Sequence, residues 1–164
     1  MLSIILKSKA WLVKGLELTV MLVTGFLVID VVWGVFTRYI LRYQSPWTEE
    51  LARMLLIWVA LLGASIGFIK KSHLGVDYFV NKLSERFRAI GQLVVYLLIA
   101  VFSSMVLIYG GFRLVSSTLS YSQPSPALHI EMGYVYLALP ISGFFIVIFS
   151  IETMIEIFSS LHKK

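Results

Sequence analysis

The sequence predicts an all-α integral membrane protein with four transmembrane helices and an amphipathic interfacial helix on the cytoplasmic side. Three observations carry this prediction. Hydrophobic residues make up 59% of the 164 residues and charged ones only 14%, where a soluble domain carries about 25% charged residues; the mean hydropathy is +0.88. Four mainly apolar runs, at about 16–37, 47–69, 92–113 and 132–155, have the length of roughly 20 residues that crosses a bilayer. Lysine and arginine are also divided unequally between the two sides that four spans define. Residues 1–164 read as one membrane domain, with the amphipathic connection at about 74–90.

The first span follows "MLSIILKSKAWLVKG". Basic residues ahead of an apolar run suggest a signal peptide, but the run is too long and no A-x-A-like site follows, so the segment reads as an uncleaved helix. Trp11 is placed to anchor it at the surface, and Glu17 lies near its inner end. Asp30 is the acid deep in this span, about two turns from its outer end, where an ionisable group costs on the order of 3 kcal/mol. A lone aspartate is expected to pair across helices, with Arg53 as the candidate partner. Removing Arg53 would then leave a buried carboxylate unpaired, at roughly 3–5 kcal/mol.

The second span opens on "SPWTEELARMLLIWVALLGASIGFIKK". Ser45 can cap the helix and Pro46 suits its first position. Tyr39, Tyr43 and Trp47 form an aromatic belt at headgroup depth. Glu49 and Arg53 are an i,i+4 pair in the favourable order. Steps of four and three from Glu49 reach Arg53, Leu56, Ala60, Gly63 and Gly67, so the charges share a stripe with a G-x-x-x-G motif. Small residues permit close helix approach in lipid, so this stripe is expected to be a helix-pairing face.

Between Val76 and Ile90 the apolar residues Val76, Phe79, Val80, Leu83, Phe87 and Ile90 recur at helical spacing, and polar residues occupy the other faces. This predicts a helix along the inner membrane surface, with Lys70, Lys71, Phe79, Lys82, Phe87 and Arg88 anchoring it to membrane lipids. Ser84 could cap a fresh helix that continues into the third span. The second outer connection, "RLVSSTLSYSQPSPALHIEMGY", is a serine- and proline-rich loop. Pro140 in the fourth span predicts a kink, and no matched interruption occurs in the first half of the chain.

Ten basic residues (Lys7, Lys9, Lys14, Lys70, Lys71, Lys82, Arg86, Arg88, Lys163 and Lys164) fall on one side and four (Arg38, Arg42, Arg53 and Arg113) on the other. Both termini are therefore expected in the cytoplasm. The basic residues are dispersed along helix ends, which gives no reason to expect a nucleic-acid partner. The absence of cysteine excludes disulfides, thiolate metal sites and thiol catalysis. His73, His129 and His162 lie in connections or at the tail, where they offer no axial haem ligand within a span. No catalytic residues, metal or cofactor are expected.

Several stretches together resemble a known family. These are Arg38 with "PWTEELARMLLIWVALLGASIGFIKKSHLGVD", "LSERFR" and "SPALHIEMGYVYLALPISG". They are similar to the small membrane subunit (Q-type, DctQ-like) of tripartite ATP-independent periplasmic (TRAP) transporters. The resemblance implies a bacterial inner-membrane scaffold that pairs with a large membrane subunit and helps dock a periplasmic substrate-binding protein. It also implies sodium-coupled uptake of an organic acid, such as sialic acid or a C4-dicarboxylate, with the ligand contacts in the other polypeptides. Carried over by motif, Arg38, Trp47, Glu49, Glu50, Arg53, Gly63, His73 and Asp77 are the family-like positions. Two other classes compete: a stand-alone oligomeric four-helix small-molecule transporter using Glu17 or Asp30, and a structural subunit of another membrane complex.

Overall fold

The computed structural model describes residues 2–43, 45–70 and 85–162. Helix α1 (Leu2–Tyr39) and helix α2 (Pro46–Ile69) are continuous. The next span is built from α3 (Glu85–Phe102), a π-helical stretch (Ser103–Gly110) and α4 (Gly111–Ser120). The last comprises α5 (Met132–Tyr136) and α6 (Ala138–His162). Four stretches are long and apolar enough to cross a membrane: Ala10–Tyr39, Pro46–Ile69, Phe87–Ser120 and Met132–Ser159. We number them spans one to four. At 1.5 Å per residue the 30 residues of span one would extend about 45 Å, more than the roughly 30 Å hydrocarbon core, so it must tilt or protrude.

The expected amphipathic connection at 74–90 falls mostly outside the described residues; its last part, from Glu85, belongs to the helix of span three. No separate interfacial helix is seen among the described residues.

The spans form an open row. Span one packs against span two, span two against span four, and span four against span three; spans two and three meet through the Phe68 and Tyr96 rings, and span one approaches neither three nor four among the described residues. Burial follows this order. Only 6% of the most apolar stretch of span one, and 6% of that of span three, is buried, against 22% for span two and 39% for span four. The two ends of the row are thus exposed and its two middle members covered.

What packs these helices is small. Lipid is as apolar as a leucine side chain, so helix association in a bilayer depends on close approach and interhelical hydrogen bonds. Among the described residues the largest fully buried side chains are Ser65, Ser103, Ser125, Ser142 and Ser150, whereas large side chains such as Phe26, Trp33, Leu98, Phe112 and Phe144 point outward. Between spans two and four, Ser65 Oγ donates to its own helix at Leu61 O (3.0 Å) and lies 3.3 Å from Ser142 O across the interface. Between spans three and four, a Cβ on Gly143 would stand 2.7 Å from Leu107 Cβ, and one on Gly111 would stand 2.9 Å from Pro140 Cδ. Phe68 and Tyr96 add an edge-on ring contact at 5.8 Å.

Helical hydrogen bonding lapses at Leu137 of the fourth span, between α5 and α6. Pro140 has no N–H to return to the carbonyl four residues back, so it is tolerated in the first turn of the restarted helix. Ile141 N–H then bonds Leu137 O at 3.2 Å. Pro140 predicted a kink; the structure shows a one-residue lapse in helical hydrogen bonding at Leu137, whose backbone stays helical (φ −58°, ψ −22°), while the π-helical stretch of span three gave no sequence signal. The two irregularities meet where Gly111 abuts Pro140.

The G-x-x-x-G motif meets no other helix among the described residues. A Cβ on either Gly63 or Gly67 meets nothing within 4 Å, and Ala60 is exposed. Gly143→Ala should therefore destabilise the chain by about 1–3 kcal/mol through overpacking. Gly63→Ala should be neutral or stabilising by up to about 1 kcal/mol, the helix-propensity gain. Thermal unfolding in detergent compares them; equal losses would refute this assignment of the packing face.

Candidate functional site

The start of α2 shows how one short stretch serves several contacts. Ser45 occupies the N-cap with extended backbone (φ −87°, ψ 106°), and Pro46 follows at the first helical position, but the Ser45 hydroxyl makes no capping bond. The carbonyl of Ser45 instead accepts from Thr48 Oγ1 at 2.8 Å. Thr48 is buried against span one, where a Cβ on Gly34 would stand 3.2 Å from its Oγ1. Successive helical residues point about 100° apart, so Glu49 and Glu50 serve different neighbours.

Glu49 turns toward span one. With Asp30, Val31, Gly34, Val35, Arg38, Tyr39, Ser45, Thr48 and Ala52 it lines a cavity of about 270 Å³ between the end of α1 and the start of α2. Asp30 is only 6% exposed, and neither carboxylate oxygen has a hydrogen-bond partner among the described residues. The expected pairing with Arg53 is not seen. Arg53 is exposed and its Nε donates to Glu49 O, one turn back in its own helix, at 3.3 Å. Arg53 is not among the residues that line the cavity.

Glu50 turns the other way. Its Oε2 accepts the backbone N–H of Ala127 at 2.8 Å and of Leu128 at 2.9 Å, tying the second connection to the start of span two. That connection is folded on itself. Ser125 N–H bonds Ile130 O (2.9 Å), His129 N–H bonds Ser125 O (3.0 Å), and Met132 N–H bonds Gln123 O (3.1 Å). Ser122 (φ 41°) and His129 (φ 56°) take left-handed conformations to make the turns. The loop expected over 113–134 is confined to 121–131: residues 113–120 continue the helix of span three and 132–134 begin span four, because serines are tolerated in a helix whose hydrogen bonds continue past the apolar run. The loop's anchor at Glu50, 77 residues away from Ala127, had no local signal.

At the opposite end Lys70 Nζ meets Glu17 Oε1 at 2.8 Å, joining spans one and two. Both side chains are partly exposed, so the pair contributes at most about 1 kcal/mol. Trp11 (79% exposed) lies in the early turns of α1, and Phe87 and Arg88 are exposed at the start of span three. Trp47 is 40% exposed at the start of α2. Lys71, His73, Asp77, Phe79 and Lys82 lie outside the described residues. The structure thus brings Asp30, Arg38 and Glu49 to one cavity and sets Glu50, Arg53, Gly63 and Gly67 elsewhere on α2.

Comparison with known proteins gives this arrangement a context. Residues 27–160 match the DctQ component of tripartite ATP-independent periplasmic transporters. The chain is 30% identical over 159 residues to the sialic acid TRAP transporter small permease protein SiaQ of Vibrio cholerae, covering 95% of this chain and 89% of that protein. It is 32% identical over 149 residues to a putative TRAP transporter small permease protein of Haemophilus influenzae, with 88% of each chain covered. It is 31% identical over 141 residues to the isethionate TRAP transporter permease protein DctMQ of Oleidesulfovibrio alaskensis, covering 82% of this chain and 21% of that much longer protein. The chain is therefore a multi-pass membrane protein of the DctQ family, the small permease component of a TRAP transporter and not an enzyme.

Proposed function

We propose that the chain is a non-catalytic scaffold that pairs with the large permease subunit and helps dock the periplasmic substrate-binding protein for sodium-coupled uptake of an organic acid. The observation that carries this reading is the open row of spans. Among the described residues span one touches span two alone, so the row does not close around a path for a solute. It does have two broad apolar faces and a free edge at span one, suited to packing beside a larger membrane body. The far side of α1 presents Val28, Ile29, Val32, Trp33 and Phe36 around an apolar groove of about 370 Å³. A relative in which a similar sequence forms 21% of a longer permease supports the pairing. Relatives named for sialic acid and isethionate support an organic acid as the cargo.

Both termini and the Lys70–Glu85 connection face the cytoplasm in this reading, since the basic residues gather at that end. The Glu50-tied loop and the aromatic side chains of Tyr39, Tyr43 and Tyr121, all exposed, then face the periplasm of the inner membrane. A loop fixed by its own hydrogen bonds and by a carboxylate offers a preorganised surface to a soluble protein, with less ordering cost on binding.

Reconstitution tests the division of labour. Sodium-dependent uptake into proteoliposomes should require this chain, the large subunit and the binding protein together. Uptake by this chain alone would instead support a stand-alone four-helix transporter. Glu50→Ala should leave two amides without their acceptor, a loss of about 1.5–3 kcal/mol for bonds to a charged group. Hydrogen exchange at Ala127 and Leu128 should then accelerate about tenfold or more, and uptake driven by the binding protein should fall. Unchanged exchange would sink the idea of a Glu50 latch.

A further inference from the structure

We propose that the cavity between spans one and two is a socket for a cationic nitrogen group, an alkylammonium or guanidinium, carried by a side chain of the large permease subunit. The proposal rests on the reading of this chain as that subunit's partner, and adds the site and the chemistry of one contact.

At its deep end the cavity offers acceptors, while its charged donor, Arg38, lines the outer end. Asp30 places two carboxylate oxygens there, buried and without a partner among the described residues. The Thr48 hydroxyl spends its proton on Ser45 O (2.8 Å). Thr48 therefore has only lone pairs left for an occupant, and Glu49 adds a second carboxylate to the lining. A group that brings several N–H donors and a positive charge satisfies this set. A neutral acceptor does not. The volume of about 270 Å³ accommodates the head of a basic side chain together with a few waters, each of which takes about 30 Å³.

Depth and access select the source. Arg38 and Tyr39 mark the headgroup end of α1, and Asp30 lies eight residues, or about 12 Å, below Arg38 along the helix. A lipid amine would have to leave its own headgroup layer to reach Asp30. A free inorganic cation entering from the aqueous end would pass the Arg38 guanidinium, which lines the same cavity. A side chain on a neighbouring transmembrane helix meets neither obstacle. It enters laterally past Val31 and Val35, which are 47% and 52% exposed and form one lip.

The test measures binding of this chain to the large subunit in vesicles of phosphatidylcholine, with and without phosphatidylethanolamine, in sodium or choline salt. Asp30→Asn keeps the shape and removes the charge. It should weaken the complex at least about tenfold, the lower end for removing one partner of a desolvated pair. In the isolated chain it should leave the thermal midpoint unchanged or raised, because an uncompensated carboxylate is removed. Asp30→Lys should abolish pairing and be rescued by a basic-to-acidic substitution in the large subunit. Unchanged affinity in Asp30→Asn would overturn the proposal. So would a lowered midpoint of the isolated chain, which would reveal a partner within it. An Asp30 effect seen only with phosphatidylethanolamine would assign the socket to a lipid amine, and one seen only in sodium would assign it to the ion; either overturns the side-chain source. Failure of the unsubstituted chain to bind would instead overturn the pairing itself.

Discussion

The arrangement depends on how closely span four can approach its neighbours. In a bilayer no hydrophobic drive brings helices together, so an interface must be made by contact distance and polar bonds. Span four meets that requirement twice. On one side Gly143 admits Leu107 and Ile108 and Pro140 fits against Gly111; on the other Ser142 meets Ser65 of span two. Span two, so placed, carries span one on its remaining side. The chain is a sequence of dependent contacts, with span one the last to be attached.

This dependence explains why the charged residues gather where they do. The Thr48–Gly34 contact and the Lys70–Glu17 pair lie near opposite ends of the seam between spans one and two. The Glu50 carboxylate, beside the first of these, ties the loop between spans three and four back to span two. Polar groups thus fasten the row at its ends, and small residues fasten it through its apolar depth. Asp30 lies on the seam of spans one and two, below the first fastening, with no such contact among the described residues.

The span assignments were legible because transmembrane length and apolarity are properties of contiguous residues. Spans one and three run past their apolar runs at both ends, as in Phe87–Ser120 against the expected 92–113, because hydropathy marks the hydrocarbon depth and not the end of hydrogen bonding. Pro140 announced the lapse at Leu137 through its missing N–H. Partners were a different matter. A Cβ on Gly63 or Gly67 of the G-x-x-x-G motif would meet nothing among the described residues, while the tight glycines Gly111, Gly133 and Gly143 belong to no local motif. Which glycine is needed depends on the bulky residue opposite, and that residue belongs to another helix. The same holds for Glu49 and Glu50, adjacent residues that helical geometry sends to different neighbours. The family was legible because its motifs are spread over most of the chain, whereas Asp30 matched none of them.

The central claim is that the four spans form a row and not a closed bundle. Because the chain contains no cysteine, spin labels can be attached at introduced cysteines in place of Phe26 in span one and Met105 in span three, both outward-facing, after reconstitution into lipid. With helices packed at roughly 8–10 Å between axes, a row separates these end members by more than about 20 Å. A distance near 10–14 Å, as neighbours or diagonals of a closed bundle would give, would contradict the account.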